Sequence, residues 1–323
     1  MQTHPERDDD GDDDAGIRGI DGIRGIRIGE AVREALRRGA PVLALESTIL
    51  THGLPSPRNL EVGLASEQQV RELGVEPATI GVVDGVAVVG LSPDEIERLC
   101  TADGVVKASV RDLPIARAKR LDAGTTVAAT AWLAHRAGIR VMSTGGLGGV
   151  HRGASETFDE SADLGTLATT PITLVSAGVK SILDIGATLE RLETLNIPVV
   201  GYRTDRYPAF YVTDSGFSLD YRIESPAEAA DLAHARDELG LPQAVLVANP
   251  VEAARQLDPE FHDRVLAEAL AAASAQGVVG HDTTPFLLEH VQRATGGASL
   301  EVNLEVYRGN VALGAEIARA VAR

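Results

Sequence analysis

From Glu30 to Pro250 the chain alternates short apolar runs with longer amphipathic ones. The apolar runs are PVLALEST from Pro41, ATIGVVDG and VAVVGL from Ala78, IRVMST from Ile139, ITLVSAG from Ile172, IPVVGYRT from Ile197 and QAVLVANP from Gln243. Each is too short for a buried helix and lacks polar alternation. That pattern predicts strands covered on both faces, as in a parallel sheet. The amphipathic runs carry helix punctuation. EAVREALRRGA stops at Gly39; PRNLEVGLASEQQVRELG opens on Pro57 and stops at Gly74; Ser92-Pro93-Asp94-Glu95 is a capping box with proline at the first helical position.

Further helices are predicted from Asp112, over TTVAATAWLAHRAG to Gly138, over SADLGTLATT, over SILDIGATLERLETLN and over PAEAADLAHARDELG, with three more closing the chain. In the helix after Lys180, Ile182, Ile185, Leu189 and Leu192 are expected to share a face. Residues 205–222 carry no regular pattern. The alternation predicts the α/β class: a three-layer α/β/α fold with a large, mostly parallel central sheet that also admits a mixed one. No Pro/Gly/Ser linker divides it and no internal repeat is evident. Residues 29–323 are therefore read as one α/β domain. Residues 1–28 are read as an acidic, low-complexity tail, expected to be disordered, with a short strand near the end of its Gly-Ile-Arg repeat.

Composition narrows the function. The formal net charge of −17 and the 3% aromatic content argue against a nucleic-acid surface. No apolar run reaches the roughly 18 residues of a membrane span, and the start lacks the apolar core of a secretory signal. Cys100, the single cysteine, excludes an intramolecular disulfide and a cysteine metal site and suits a cytoplasmic location.

In an open α/β sheet, ligands bind at the carboxyl ends of strands. Glu46, Thr144, Lys180 and Asn249 each close an apolar run there. A carboxyl beside such a run can be desolvated into a general acid, and a desolvated lysine into a nucleophile. The alternatives are a helix-capping or arginine-paired Glu46 and a solvated Lys180 at a strand-to-helix turn. The stretch 141–181 concentrates most of the candidates. Its glycines, TGGLGGVHRG, match neither a dinucleotide fingerprint nor a P-loop, although backbone N–H groups with His151 and Arg152 could hold a phosphate. Glu156, Asp159 and Asp163 form an acidic group; Asp159 and Asp163 share a helix face if the helix starts early. Such oxygens suit Mg²⁺ or Mn²⁺, and equally suit a helix N-terminus. His52, His151 and His281 are too scattered for a metal spacing.

The motifs ALESTILTHGLPSPRN, KASVRDLP, GTTVAATAWLAHRAGI, STGGLGGVHRGASETFDESADL, LVSAGVKSILDIGATLERLET, TPFLLEHV and SLEVNLEVYRGN, in this order, resemble the pseudouridine-5′-phosphate glycosidase family, which also contains the indigoidine-cluster protein A. The resemblance runs from about residue 30 to the end; the tail departs from it. It implies a large α/β fold, a homotrimer and reversible conversion of pseudouridine 5′-phosphate to ribose 5-phosphate and uracil. It implies Glu46 as proton donor, Lys180 as nucleophile, Lys107, Val127, Ser161, Ala162 and Asp163 as substrate contacts, and Asp159 as the ligand of one Mn²⁺ per subunit. Some relatives are fused to a sugar kinase; here a pseudouridine kinase is expected to be a separate protein. Two other readings are another Schiff-base sugar-phosphate lyase and a non-catalytic sugar-phosphate binder.

Overall fold

The apolar runs become strands whose alternate residues feed two different cores. The structure, a computed structural model, describes residues 25–278 and 283–323. Strand β2 (Val42–Leu45) is buried throughout. Val42 and Ala44 face helices α1 (Glu30–Arg37) and α5 (Val127–Arg136), while Leu43 and Leu45 face α2 (Arg58–Glu72), α3 (Pro93–Thr101) and α12 (Ala298–Val321). The same division holds in β8 (Thr173–Ser176), where Leu174 and Val175 join opposite cores, and in β11 (Val245–Ala248), where Leu246 and Val247 do. Successive side chains leave a strand on opposite faces, so two cores separated by one sheet make the expected α/β/α sandwich.

Among the described residues the sheet has eleven strands. Its path runs β1 (Ile26–Ile28), β4 (Val86–Val89), β3 (Glu76–Val83), β2, β7 (Val141–Ser143), β8, β11, β9 (Val199–Tyr202) and β10 (Tyr221–Ile223). From β3 to β10 every neighbouring pair on this path is parallel. The antiparallel pairs are β3 with β4 and β3 with β6 (Ala123–Thr125). Strand β4 follows β3 through Asp84 and Gly85, both at positive φ, the backbone of a tight hairpin turn. Strand β5 (Val106–Ala108) extends the sheet beyond β6, in parallel.

The helices predicted before Gly39, Gly74 and Gly138 form where expected, and the Ser92 capping box is intact. Strand β1, the one expected at the end of the Gly-Ile-Arg repeat, pairs with β4. Two details differ. Helix α8 (Ile185–Thr194) starts on the Asp184 cap, which leaves Ile182 in the preceding turn, although it is buried in the same core. The pattern-free segment ends in β10, an edge strand with Tyr221 and Arg222 exposed and Ile223 buried. The remaining helices are α4 (Leu113–Lys119), α6 (Ala154–Thr157), α7 (Ala162–Leu167), α9 (Pro226–Glu238), α10 (Pro259–Ala275) and α11 (Thr283–Ala294). Among the described residues no helix is long and apolar enough to cross a membrane. Most of the tail, and His281, lie outside the described residues.

Candidate active site

The carboxyl ends of β2, β7 and β8 meet at a glycine-rich loop, and that loop is the site's frame. After β7 the chain runs through Thr144 and then pairs with the segment after β8. Thr144 N–H donates to Val175 at 3.0 Å, Leu147 N–H to Gly178 at 3.1 Å, and Lys180 N–H to Leu147 at 3.1 Å. The backbone of Lys180 is therefore tied to the loop, and its side chain is half-buried. On its other flank the loop pairs with 159–161: His151 N–H donates to Asp159 and Ser161 N–H to Gly149, both at 3.0 Å.

Gly148 allows this approach. A Cβ there would stand 2.3 Å from Ser161 Oγ and 2.9 Å from Asp163 Oδ2. In place of that clash, Asp163 Oδ2 accepts the Gly148 N–H at 2.8 Å while Oδ1 accepts the Ala128 N–H at 2.9 Å. The first turn of α5 leaves that N–H without a helical partner, and a buried carboxylate complements the helix dipole there. Ser161 caps α7 by accepting the Asp163 N–H at 3.2 Å. Val127, the first residue of α5, is buried beside this clamp, whereas Ala162 is exposed.

Glu46 leaves the end of β2 only 7% exposed, and its Oε1 accepts a hydrogen bond from the Thr144 hydroxyl. Burial pushes its pKa up, and nearby Asp163 adds to the rise; Lys180, the Thr144 hydroxyl and Lys107 oppose it. Lys107 arrives from the far side on β5. Its strand is carried by β6, where Gly124 packs so closely on the Thr51 side chain that a Cβ would stand 2.1 Å from its hydroxyl. Partial desolvation, and then the proximity of Lys180, hold the Lys107 pKa below the ordinary lysine value, while Asp163 and Glu46 oppose that fall. Glu46 and Lys107 thus lie within reach of the charges of Asp163 and Lys180, and the four make one cluster of two acids and two bases.

Asp159 is not among the groups whose charge shifts Glu46 or Lys107. Helix α7 begins at Ala162, so Asp159 and Asp163 do not share a helix face. The Asp159 side chain is 38% exposed, with His151 Nδ1 3.8 Å from its Oδ2. Glu156 is exposed in α6. Among the described residues, no three His, Cys, Asp or Glu side chains converge as a metal cage. Arg152 lies outside the cluster too; with Ser181, Asp184 and His262 it lines a cleft of about 430 Å³.

The sequence reading overlooked the contribution of α12. Asn310, 1% exposed, donates through Nδ2 to Thr144 O at 2.8 Å and Gly145 O at 3.1 Å, and its Oδ1 accepts from Asn249 at 2.9 Å. Tyr307 is buried near enough to Glu46 for that charge to help raise its pKa, though burial is the larger cause. Gly314 lets the helix lie against β7, since a Cβ would stand 1.9 Å from Ser143 Oγ. Tyr307, Asn310 and Gly314 fall at helical spacing on one face of α12, on the buried side with Val306, Val311 and Leu313. That spacing was the available signal.

Comparison with known proteins covers nearly the whole chain. Residues 31–320 match the family described as indigoidine synthase A like protein. The pseudouridine-5′-phosphate glycosidase of Saccharopolyspora erythraea is 64% identical over 295 residues, covering 91% of this chain and 97% of that protein. That of Frankia alni is 56% identical, covering 93% and 83%. Among solved structures, the prealnumycin C-glycosynthase AlnA, in complex with ribulose 5-phosphate, superposes with a TM-score of 0.86 at 36% identity, covering 92% of this chain and 97% of that one. An indigoidine synthase A-like protein from Thermotoga maritima superposes with a TM-score of 0.83, also at 36% identity, covering 93% and 98%. With nearly the whole chain matched in sequence and in fold, the protein belongs to the indigoidine synthase A-like family.

Proposed function

We propose that this chain reversibly splits the carbon–carbon glycosidic bond of pseudouridine 5′-phosphate, giving ribose 5-phosphate and uracil. The observation that carries the proposal is the meeting of a buried, pKa-raised Glu46 with Lys180 in one charge cluster. The activity in the names of the close relatives supports the substrate.

The chemistry follows from the bond. A C-glycoside has no leaving heteroatom for an acid to protonate, so the paired-carboxylate route of ordinary glycosidases gains nothing. An amine offers another route. Glu46 gives its proton to the ring oxygen as the C1′–oxygen bond breaks and the neutral amine of Lys180 bonds to C1′. The nitrogen, cationic once bonded, returns a proton to the Glu46 carboxylate, and its lone pair then drives cleavage of the bond from C1′ to C5 of the base. C5 keeps that electron pair and takes a proton to become uracil. Water adds to the remaining iminium and releases the aldehyde form of ribose 5-phosphate, restoring Lys180. One water is consumed overall. Lys107, with its lowered pKa, and the Ser161–Asp163 turn would bind the sugar phosphate and hold C1′ against Lys180.

Manganese remains a proposal built on donor chemistry. Asp159 would supply one carboxylate oxygen, and water and phosphate oxygens would complete a site of the open kind that hard cations use. Bound there, the ion would supply charge stabilisation to the phosphate.

The test is a borohydride trap. Incubation with ribose 5-phosphate and borohydride should leave a reduced sugar-phosphate adduct on the Lys180 peptide by mass spectrometry, and Lys180→Ala should abolish it. An unmodified Lys180 peptide would exclude the covalent route. The C-glycosynthase neighbour favours a second reading, in which the aromatic partner is not uracil. Uracil release from pseudouridine 5′-phosphate, followed by ultraviolet absorbance, separates the two.

A further inference from the structure

The two oxygens of Glu46 are treated differently. Oε1 accepts the Thr144 hydroxyl; among the described residues Oε2 has no hydrogen-bond partner. Thr144 is itself fixed. Its N–H donates to Val175 in β8 at 3.0 Å, and its carbonyl accepts from Asn310 of α12 at 2.8 Å. The next carbonyl, of Gly145, accepts from Asn310 at 3.1 Å and from Ala177 N–H at 2.9 Å. Ser143 Oγ donates to Asn310 O at 2.9 Å. The peptides around Thr144 are thus held by the sheet on one side and by a buried, fully partnered asparagine on the other. The branched Cβ of threonine stiffens the rest.

We propose that Thr144, braced by Asn310, is a positioning residue for the acid: its hydroxyl occupies Oε1 and leaves Oε2 to carry the proton that Glu46 delivers. In the step itself the proton leaves Oε2 for the ring oxygen. The carboxylate formed keeps the Thr144 hydrogen bond on Oε1, which strengthens as charge develops. The inference rests on the proposed reaction for its kinetic consequence, but not for its structural one. The charged or titratable groups around Glu46 are Lys180 after β8, Lys107 of β5, Asp163 of α7 and Tyr307 of α12, with Glu67 of α2 beyond Tyr307.

The test compares Thr144→Val, nearly isosteric, with Thr144→Ser, which keeps the hydroxyl. Thr144→Val should lower kcat about 30- to 100-fold with KM changed less than about threefold, the scale expected of a misaligned acid. Its upper pH limb should move to higher pH, because the hydrogen bond lost is one that favoured the carboxylate. Thr144→Ser should recover most of the rate and return the limb. Thr144→Ala replaces the valine variant should that one not fold. A second readout is independent of turnover: ¹³C-labelled glutamate NMR, with the Glu46 signal assigned by its loss in Glu46→Gln. Its titration should move up in Thr144→Val and return in Thr144→Ser. If wild type releases no uracil, the proposed reaction fails and the NMR comparison still decides the positioning role. Equal Glu46 titration in wild type and Thr144→Val would overturn it.

Discussion

Replacing Asp163 separates a substrate contact from a structural clamp. Its carboxylate is 6% exposed and receives two backbone N–H groups from different parts of the fold, Ala128 at 2.9 Å and Gly148 at 2.8 Å. Hydrogen bonds to a charged acceptor contribute about 1.5–3 kcal/mol each, and an orphaned buried N–H costs about 1–3 kcal/mol. Asp163→Ala removes both acceptors, so the expected loss is about 3–5 kcal/mol, a large share of the roughly 5–15 kcal/mol of a typical protein. Asp163→Asn keeps one acceptor and turns an amide donor against the other N–H. Its expected loss is about 2–3 kcal/mol. The assay is urea denaturation, with the midpoint and slope compared between wild type and Asp163→Asn, alongside kcat and KM under native conditions. The clamp predicts a lower midpoint at unchanged slope, and a kcat loss from the displaced Gly148 loop and α5. An Asp163→Asn protein within about 0.5 kcal/mol of wild type but catalytically impaired would refute the clamp and leave Asp163 as a substrate contact alone.

Two further outcomes follow from the same geometry. Burial raises the Glu46 pKa in the folded protein, so the folded state holds this proton more tightly than the unfolded chain; stability from this group is present below the unfolded pKa and is lost as pH rises through the folded one. Glu46→Gln keeps an acceptor for Thr144 and removes the buried charge, so it should be nearly neutral to stability at about pH 4 and stabilising at about pH 8 by denaturation midpoint; an equal effect at both pH values would contradict a raised pKa. Gly314→Ala places a Cβ 1.9 Å from Ser143 Oγ and should cost about 1–3 kcal/mol in thermal or urea unfolding as α12 shifts off β7; an unchanged midpoint would show that the helix does not rest there.

The sequence by itself determined the apolar strands, most helix boundaries and the placement of the acid and the lysine just beyond such strands. Those signals are local. A strand covered on both faces must be apolar at every position, as Val42–Leu45 is, and a helix end needs its glycine or cap within a turn. β6 (Ala123–Thr125) was illegible for the converse reason. Three residues, one of them glycine, carry no periodicity, and the strand exists because β3 and β5 offer it partners. The early helix start that would have joined Asp159 to Asp163 failed because Ser161 caps α7 and begins it later.

Tertiary structure alone decided which polar groups meet. In sequence Asp163 is one acid among three; only the approach of the Gly148 loop to the N-terminus of α5 makes it a clamp. Asn310 lies 166 residues from Thr144, and no local pattern reports a hydrogen bond across that distance. Glu46 and Lys180 were both legible as groups following apolar strands, yet the effect of Lys180 on Glu46 exists only because β2 and β8, which lead to them, lie close in a parallel sheet, with β7 between. Side-chain type follows local burial, which sequence records, whereas chemical role follows from neighbours that only the sheet order supplies.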